Sequence, residues 1–136
     1  MTLIRWLIVL VLIMHGIGHI MGFLAAWTTI PVGWRDAPWL LGGGYRITSP
    51  VGATWGLLWL VTLIGFVGAG LGLIWGQSWW LPLATASAVV SLVAILPWWT
   101  SAPLGARVGA IVVDLIVLWL ASPLGARMLE KLNIVT

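Results

Sequence analysis

Three titratable side chains lie inside the long apolar stretches of this sequence: His15, His19 and Asp114. The two histidines are four residues apart, so they lie one above the other on the same face if that segment is a helix. A carboxylate in the middle of an apolar helix is costly unless it is protonated or paired. We therefore expect Asp114 to have a polar partner, and the histidines are the candidates.

Three kinds of chemistry fit this trio. A His–Asp hydrogen bond can tie one helix to another. Buried His and Asp side chains also act as proton relays in membrane transport. Finally, His15, His19 and Asp114 form a candidate metal site, because two imidazoles and a carboxylate can share one ion. A bis-histidine haem within the chain is disfavoured, since both histidines occupy one helix face. The sequence itself requires no cofactor.

The elements that must position these groups are apolar over most of their length. Of the 136 residues, 62% are hydrophobic and 7% are charged, whereas soluble domains carry roughly one quarter charged residues. This composition predicts an all-α, multi-pass membrane protein whose main partner is the lipid bilayer. The net charge of +3 comes from scattered basic residues that form no stripe for nucleic acid. The absence of cysteine excludes disulfides and thiolate sites.

Four apolar segments are each long enough to cross a hydrocarbon core of ~30 Å as a helix. Tryptophans stand near the ends of these segments, where indole rings favour the membrane interface. We expect a four-helix bundle in a single transmembrane domain, 1–136, with helices at 3–28, 51–75, 79–99 and 103–121.

The segment 29–50 is the only sizeable polar connection. It contains three prolines and a glycine triplet, Gly42 to Gly44. No Lys-Ser or Lys-Thr follows the triplet, so a phosphate loop is not expected. The composition predicts a flexible interfacial loop that its tryptophans anchor.

The segment 123–134 is too short to cross a membrane. Leu124, Met128 and Leu132 share one helical face there, while charged residues lie elsewhere. This pattern predicts an amphipathic helix that lies on the membrane surface.

Small residues recur four positions apart in the apolar segments, which allows helix backbones to approach closely. We expect most pairs to pack within the chain, and some to serve a homo-oligomer or a larger complex. The pairs are Gly18/Gly22, Gly52/Gly56, Gly68/Gly72, Ala84/Ala88 and Gly105/Gly109. The hydroxyl side chains Thr54, Thr62, Thr85, Ser87 and Ser91 are expected to bond to their own helix backbone.

Depth predicts which histidine meets Asp114. If all four segments span, the first and fourth helices run in opposite directions. His15 lies ~13 Å and His19 ~19 Å below Trp6, and Asp114 lies ~10 Å below Ala121. We therefore expect Asp114 to pair with His15. The basic residues divide evenly between the two faces, and the amino group of Met1 favours both termini on the cytoplasmic side of the cell membrane.

The run His15-Gly16-Ile17-Gly18-His19-Ile20-Met21-Gly22-Phe23, together with Val113-Asp114-Leu115, resembles a group of short bacterial membrane proteins of uncharacterised activity. These proteins carry a comparable H-G-x-x-H-x-x-G-F segment in their first helix. The resemblance implies a bacterial four-helix integral membrane protein and implies no activity. Small multidrug transporters are similar in size, but their membrane glutamate has no counterpart here.

The leading prediction is a non-enzymatic accessory or structural subunit of a membrane complex. The alternative is a small proton-coupled transporter or permease component that uses His15, His19 and Asp114. A metal-binding or haem-binding membrane protein is the third possibility.

Overall fold

The computed structural model of the chain describes residues 2–134. It contains α1 (Leu3–Gly18), α2 (Ile20–Trp27), α3 (Pro50–Ile74), α4 (Trp80–Ile95), α5 (Leu104–Leu120) and α6 (Pro123–Lys131). Among the described residues there is no strand, only an isolated bridge between Pro38 and Arg46. The predicted all-α class is confirmed. Met1, whose amino group supported the predicted orientation, lies outside the described residues.

Two helical stretches are long and apolar enough to cross a membrane: Leu3–Trp27, which joins α1 and α2, and Pro50–Ile74. Helices α5 and α6 pass the same test only together, with a bend of 81° between them. Helix α4 is apolar but has 16 residues, which is about 24 Å of helix against a hydrocarbon core of about 30 Å. Length and composition thus identify two or three candidate spans and do not single out four.

Two helices begin at Ser-Pro pairs. Ser49 Oγ accepts a hydrogen bond from Gly52 N at 3.2 Å, and Ser122 Oγ accepts one from Gly125 N at 3.3 Å. Proline follows each serine in the first helical turn, where its missing N–H costs nothing. These local signals explain why the predicted starts of α3 and α6 agree with the structure to within one residue.

The first predicted helix, 3–28, is divided at His19. His19 N donates to Gly16 O at 3.0 Å, and Gly22 N donates to His19 O at 3.2 Å. Both bonds span three residues, which is the tighter 3₁₀ pattern. The glycines on either side of His19 weaken the α-helix at this point, because glycine loses the most backbone freedom in a helix.

Helix α4 ends at Ile95, four residues before the predicted end at 99. Pro97 lacks the N–H group that would continue the helix. Its carbonyl accepts a hydrogen bond from Leu40 N at 2.8 Å instead. The chain then forms turns until α5 begins.

The connection between α2 and α3 corresponds to the predicted interfacial loop at 29–50. It lies across one end of the bundle, where Arg35 N donates to Ser101 O at 2.9 Å and Thr100 Oγ donates to Pro38 O at 3.3 Å. Main-chain groups of the loop that have no partner in a helix or strand thereby form hydrogen bonds with the turns that follow α4.

Tryptophans of this connection pack on the rings of other tryptophans at this end of the bundle. Trp34 lies edge-on to Trp59 of α3, with 5.1 Å between ring centroids, and Trp39 lies 5.6 Å from Trp98. Aromatic rings bury a large apolar area when they pack on one another. The loop is therefore part of the hydrophobic core at this end of the molecule.

Helix α6 ends at Lys131, before the predicted end at 134. Asn133 has a φ of 52° and turns the chain back, so that Ile134 is buried beside Leu129. Leu124 and Met128 are exposed, as a surface-facing side requires. Leu132, the third residue of the predicted apolar face, packs partly against the core. The three residues therefore do not all face outward.

The helices pack in the order α1, α3, α4, α5, with α2 also on α3. Small residues allow several of these approaches. A Cβ added at Gly22 would lie 2.5 Å from the ring of Trp59, and one at Gly72 would lie 2.6 Å from Trp79. Helix α5 packs on α4 and α6 but scarcely on α1. The candidate functional site lies in the gap between α1 and α5.

Candidate functional site

Four polar side chains form a closed ring in the middle of the molecule. His15 Nε2 lies 3.0 Å from Asp114 Oδ1, and Ser91 Oγ donates to Asp114 Oδ2 at 2.6 Å. Ser91 Oγ also lies 3.2 Å from His19 Nε2, which is 3.3 Å from His15 Nε2. Three separate stretches of chain, α1 with its break, α4 and α5, supply these groups.

The pairing of His15 with Asp114 is the one that the depth estimate predicted. The structure brings His15, His19 and Asp114 together, although His19 reaches Asp114 only through its neighbours. Asp114 is fully buried, while the His15 side chain is 8% exposed. The carboxyl group therefore lies behind the imidazoles and away from the surface.

Helix α3 supports the ring with an aromatic side chain. Phe66 contacts His15 edge-on, with ring centroids 4.6 Å apart, and lies parallel to His19 at 6.1 Å. Gly16 makes this approach possible, because a Cβ there would lie 3.0 Å from Phe66 Cβ and 3.1 Å from Leu63 O. The glycine beside His15 thus lets α1 approach α3 closely enough for the rings to stack.

Ser91 was not predicted as a site residue. Thr62, Thr85 and Ser87 each donate to the backbone carbonyl four residues earlier, as expected of hydroxyls in apolar helices. Ser91 instead bonds to side chains and is fully buried. One signal was available, since Ser91 continues the helical face of the small pair Ala84/Ala88.

A cavity of about 540 Å³ borders the ring. It lies between α1/α2 and α5, and both histidines line it. Gly18, Gly105 and Gly109 also line it, and a Cβ at any of the three would meet no heavy atom within 4 Å. These three glycines leave open space. They differ in this from most of the small pairs, which were expected to pack within the chain. The volume is in the range of small-molecule sites.

The walls of this cavity are chiefly apolar, and the loop closes one end. Val32 and Trp34 of the loop and Pro103 before α5 line that end. A second apolar cleft of about 220 Å³ continues between α1 and α5 towards Leu120. Together the two spaces follow the α1–α5 gap, so the His–Asp contact bridges two helices that otherwise scarcely meet.

Within residues 2–134, no group of three or more His, Asp or Glu side chains is arranged to hold a metal ion. The His15 Nε2 atom already contacts Asp114 and His19 directly. The metal interpretation of His15, His19 and Asp114 therefore gains no support from the described residues.

In comparisons with protein-family models, curated proteins and solved structures, the chain matches none of them. The likeness to small bacterial four-helix membrane proteins thus stays an expectation from the sequence.

Proposed function

We propose that the chain crosses a membrane four times, as α1 with α2, α3, α4 and α5. The outer faces of the two shorter helices support this, because they expose large apolar side chains as lipid-facing helices do. Val89 and Val93 of α4 and Val112 and Ile116 of α5 are each about half exposed. Turns at 97–101 extend the reach of α4 beyond its 16 helical residues.

In this arrangement α6 lies along the membrane surface. Its axis is bent by 81° from that of α5. Leu124 and Met128 face outward and Leu129 faces the core, so one short helix contacts both lipid and protein. Arg127 and Lys131 are exposed and can reach the headgroups.

Within this frame the protein acts as a small proton-coupled transporter or permease component. The observation that carries the proposal is the ring of His15, His19, Ser91 and Asp114 at the wall of the 540 Å³ cavity. A structural tie needs one polar pair, whereas this site links two imidazoles and a carboxyl group beside a space for a small molecule. Such groups at membrane depth typically mark ion and proton pathways.

The break at His19 supports the same function. Irregular backbone at membrane depth is tolerated only where protein buries it or where it lines a polar cavity. Gly18 borders the break and opens onto the cavity. Interrupted helices at the midplane are also the usual substrate and ion sites of secondary transporters.

Proton exchange at Asp114 can be tested directly by infrared difference spectroscopy of the protein reconstituted in lipid. We expect a carboxyl C=O band that changes across the pH range in which imidazoles and carboxyls titrate, and that disappears in Asp114→Asn. A spectrum with no such band in the wild type would refute proton coupling at this site. Flux of protons in dye-loaded vesicles, screened against classes of small solutes, would then identify the coupled substrate.

A second function, that of a non-enzymatic accessory subunit, is favoured by the open side of α5. A Cβ added at Gly105 or Gly109 would meet no heavy atom of another part of the chain within 4 Å, so a helix from a partner or a second copy could pack there. Purification from the native membrane would distinguish the two. A stoichiometric partner that protects a Gly105→Cys variant from a lipid-soluble thiol reagent supports the subunit role.

A further inference from the structure

The hydroxyl of Ser91 contacts both His19 and Asp114. Its Oγ atom is 2.6 Å from Asp114 Oδ2 and 3.2 Å from His19 Nε2. A hydroxyl can donate one hydrogen bond and accept another at the same time. Ser91 is therefore able to receive a proton from one neighbour while it releases its own to the other.

The other connection between His19 and Asp114 passes through His15, and it cannot relay a proton in one concerted step. His19 Nε2 and Asp114 Oδ1 both contact the same atom, His15 Nε2. A ring nitrogen of a neutral imidazole carries either a proton or a lone pair, not both. His15 Nε2 cannot accept from His19 while it donates to Asp114, so His15 acts as a clamp on the carboxyl group.

We propose that Ser91 is the proton bridge between His19 and Asp114, and that His19 is the entry point from the cavity. This inference rests on the proposed proton coupling and adds its route. His19 lines the cavity, and its Nε2 atom faces the ring, which leaves Nδ1 as the nitrogen that exchanges with cavity water.

The transfer balances without any redox partner. In the starting state Asp114 is ionised, Ser91 donates to Asp114 Oδ2, and neutral His19 donates from Nε2 to Ser91 Oγ. Cavity water, as hydronium, delivers a proton to His19 Nδ1 and forms an N–H bond there. The Nε2–H bond then breaks as that proton passes to Ser91 Oγ, while the former hydroxyl proton of Ser91 passes to Asp114 Oδ2.

In the final state Asp114 is neutral, Ser91 is again a hydroxyl and His19 is neutral with its proton on Nδ1. The hydrogen bonds through Ser91 have reversed direction, and the net charge of the ring has risen by one unit. The titratable groups that face this path are His15 from α1 and Asp114 from α5, while α3 contributes only the apolar ring of Phe66. The site thus accepts one proton in this sequence of steps.

The test measures how fast the Asp114 carboxyl band appears after a light-triggered proton release, in protein reconstituted in lipid. Ser91→Ala removes the bridge and should slow protonation about a hundredfold, the lower end of what a positioned proton donor contributes to a rate. Ser91→Thr restores a hydroxyl and should recover most of the rate. Ser87→Ala is the matched control, because Ser87 donates to its own helix at Leu83 O.

If Ser91→Ala slows the protonation of Asp114 by less than about tenfold, the proposed bridge is wrong, because the positioned hydroxyl is then dispensable. Failure of Ser91→Thr to recover the rate also overturns it. If Ser91→Ala does not fold, His19→Gln replaces it, because an amide cannot pass a proton to Ser91. An unchanged rate of Asp114 protonation in His19→Gln would likewise overturn the bridge. Absence of the Asp114 band in the wild type is a different result, which refutes the proposed function itself.

Discussion

His15 and Asp114 form a contact across helices that otherwise leave a gap. Their 3.0 Å pair and the 2.6 Å bond from Ser91 satisfy both oxygens of a fully buried carboxyl group. Removing one member of the ring leaves each of its two neighbours with one polar partner fewer in a low-dielectric interior, which makes such networks sensitive to single changes. The geometry ranks the partners of Asp114, and that ranking is measurable.

A double-mutant cycle should show stronger coupling of Asp114 to His15 than to His19. Asp114→Asn, His15→Gln and His19→Gln are combined in pairs, and the free energy of unfolding is measured in mixed micelles. We expect about 0.6 kcal/mol or more for the His15 pair, the scale of interhelical hydrogen bonds in membranes, and less for His19, which has no direct contact with Asp114. Equal coupling for both histidines would contradict the observed geometry.

At the scale of the elements, Gly18 at the end of α1 and Gly22 in α2 have opposite roles, although they are only four residues apart. Gly22 lies against the ring of Trp59, whereas Gly18 opens onto the cavity. The same sequence motif therefore contains one residue that allows packing and one that makes space.

Gly22→Ala should destabilise the protein by about 1–3 kcal/mol, because its Cβ would lie 2.5 Å from the Trp59 ring and a packed interface must move. Gly18→Ala is the matched control. Its Cβ meets no atom within 4 Å, so stability should be unchanged or rise by up to about 1 kcal/mol from helix propensity. Thermal unfolding in detergent measures both, and equal losses would show that the two glycines share one environment.

Helix α6 should depend on the residue that faces the core. Leu129 is fully buried and Leu124 is 68% exposed on the same short helix. Leu129→Ala should cost about 2–5 kcal/mol of unfolding free energy, as truncation of a buried leucine does, and Leu124→Ala about 0.5 kcal/mol or less. If Leu124→Ala is the more harmful change, the orientation of α6 is reversed.

At the scale of the whole molecule, the number of crossings determines which ends share a compartment. Four crossings place Thr2 and Lys131 on one side and the loop residue Leu41 and the α4–α5 turn at Thr100 on the other. The contact of Thr100 with Pro38 of the loop already places the latter two at one end of the molecule.

Single cysteines at Thr2, Leu41, Thr100 and Lys131, in a chain that has none of its own, can be labelled with a membrane-impermeant thiol reagent. Leu41 is a better site than Gly43, whose φ of 74° disfavours any side chain. We expect Thr2 and Lys131 to label from one side, and Leu41 and Thr100 from the other. Labelling of Thr100 and Lys131 from the same side as Thr2 would leave only two crossings, and opposite sides for Thr2 and Lys131 would indicate an odd number.

The sequence by itself determined what depends on composition and on local signals. Apolar content predicted helices, the Ser-Pro pairs placed the starts of α3 and α6, and depth along two antiparallel helices predicted the His15–Asp114 pair.

The tertiary structure decided what depends on contacts between distant segments. The folded loop with its inward Trp34 and the open side of Gly18 both follow from which surfaces meet, and spacing along one chain does not carry that information. Ser91 shows the difference most clearly, because its hydroxyl had a local backbone partner available and turned instead to Asp114, 23 residues away. A buried carboxyl group gains more from a hydroxyl donor than a helix carbonyl that is already bonded, since an unsatisfied charge is the costlier of the two.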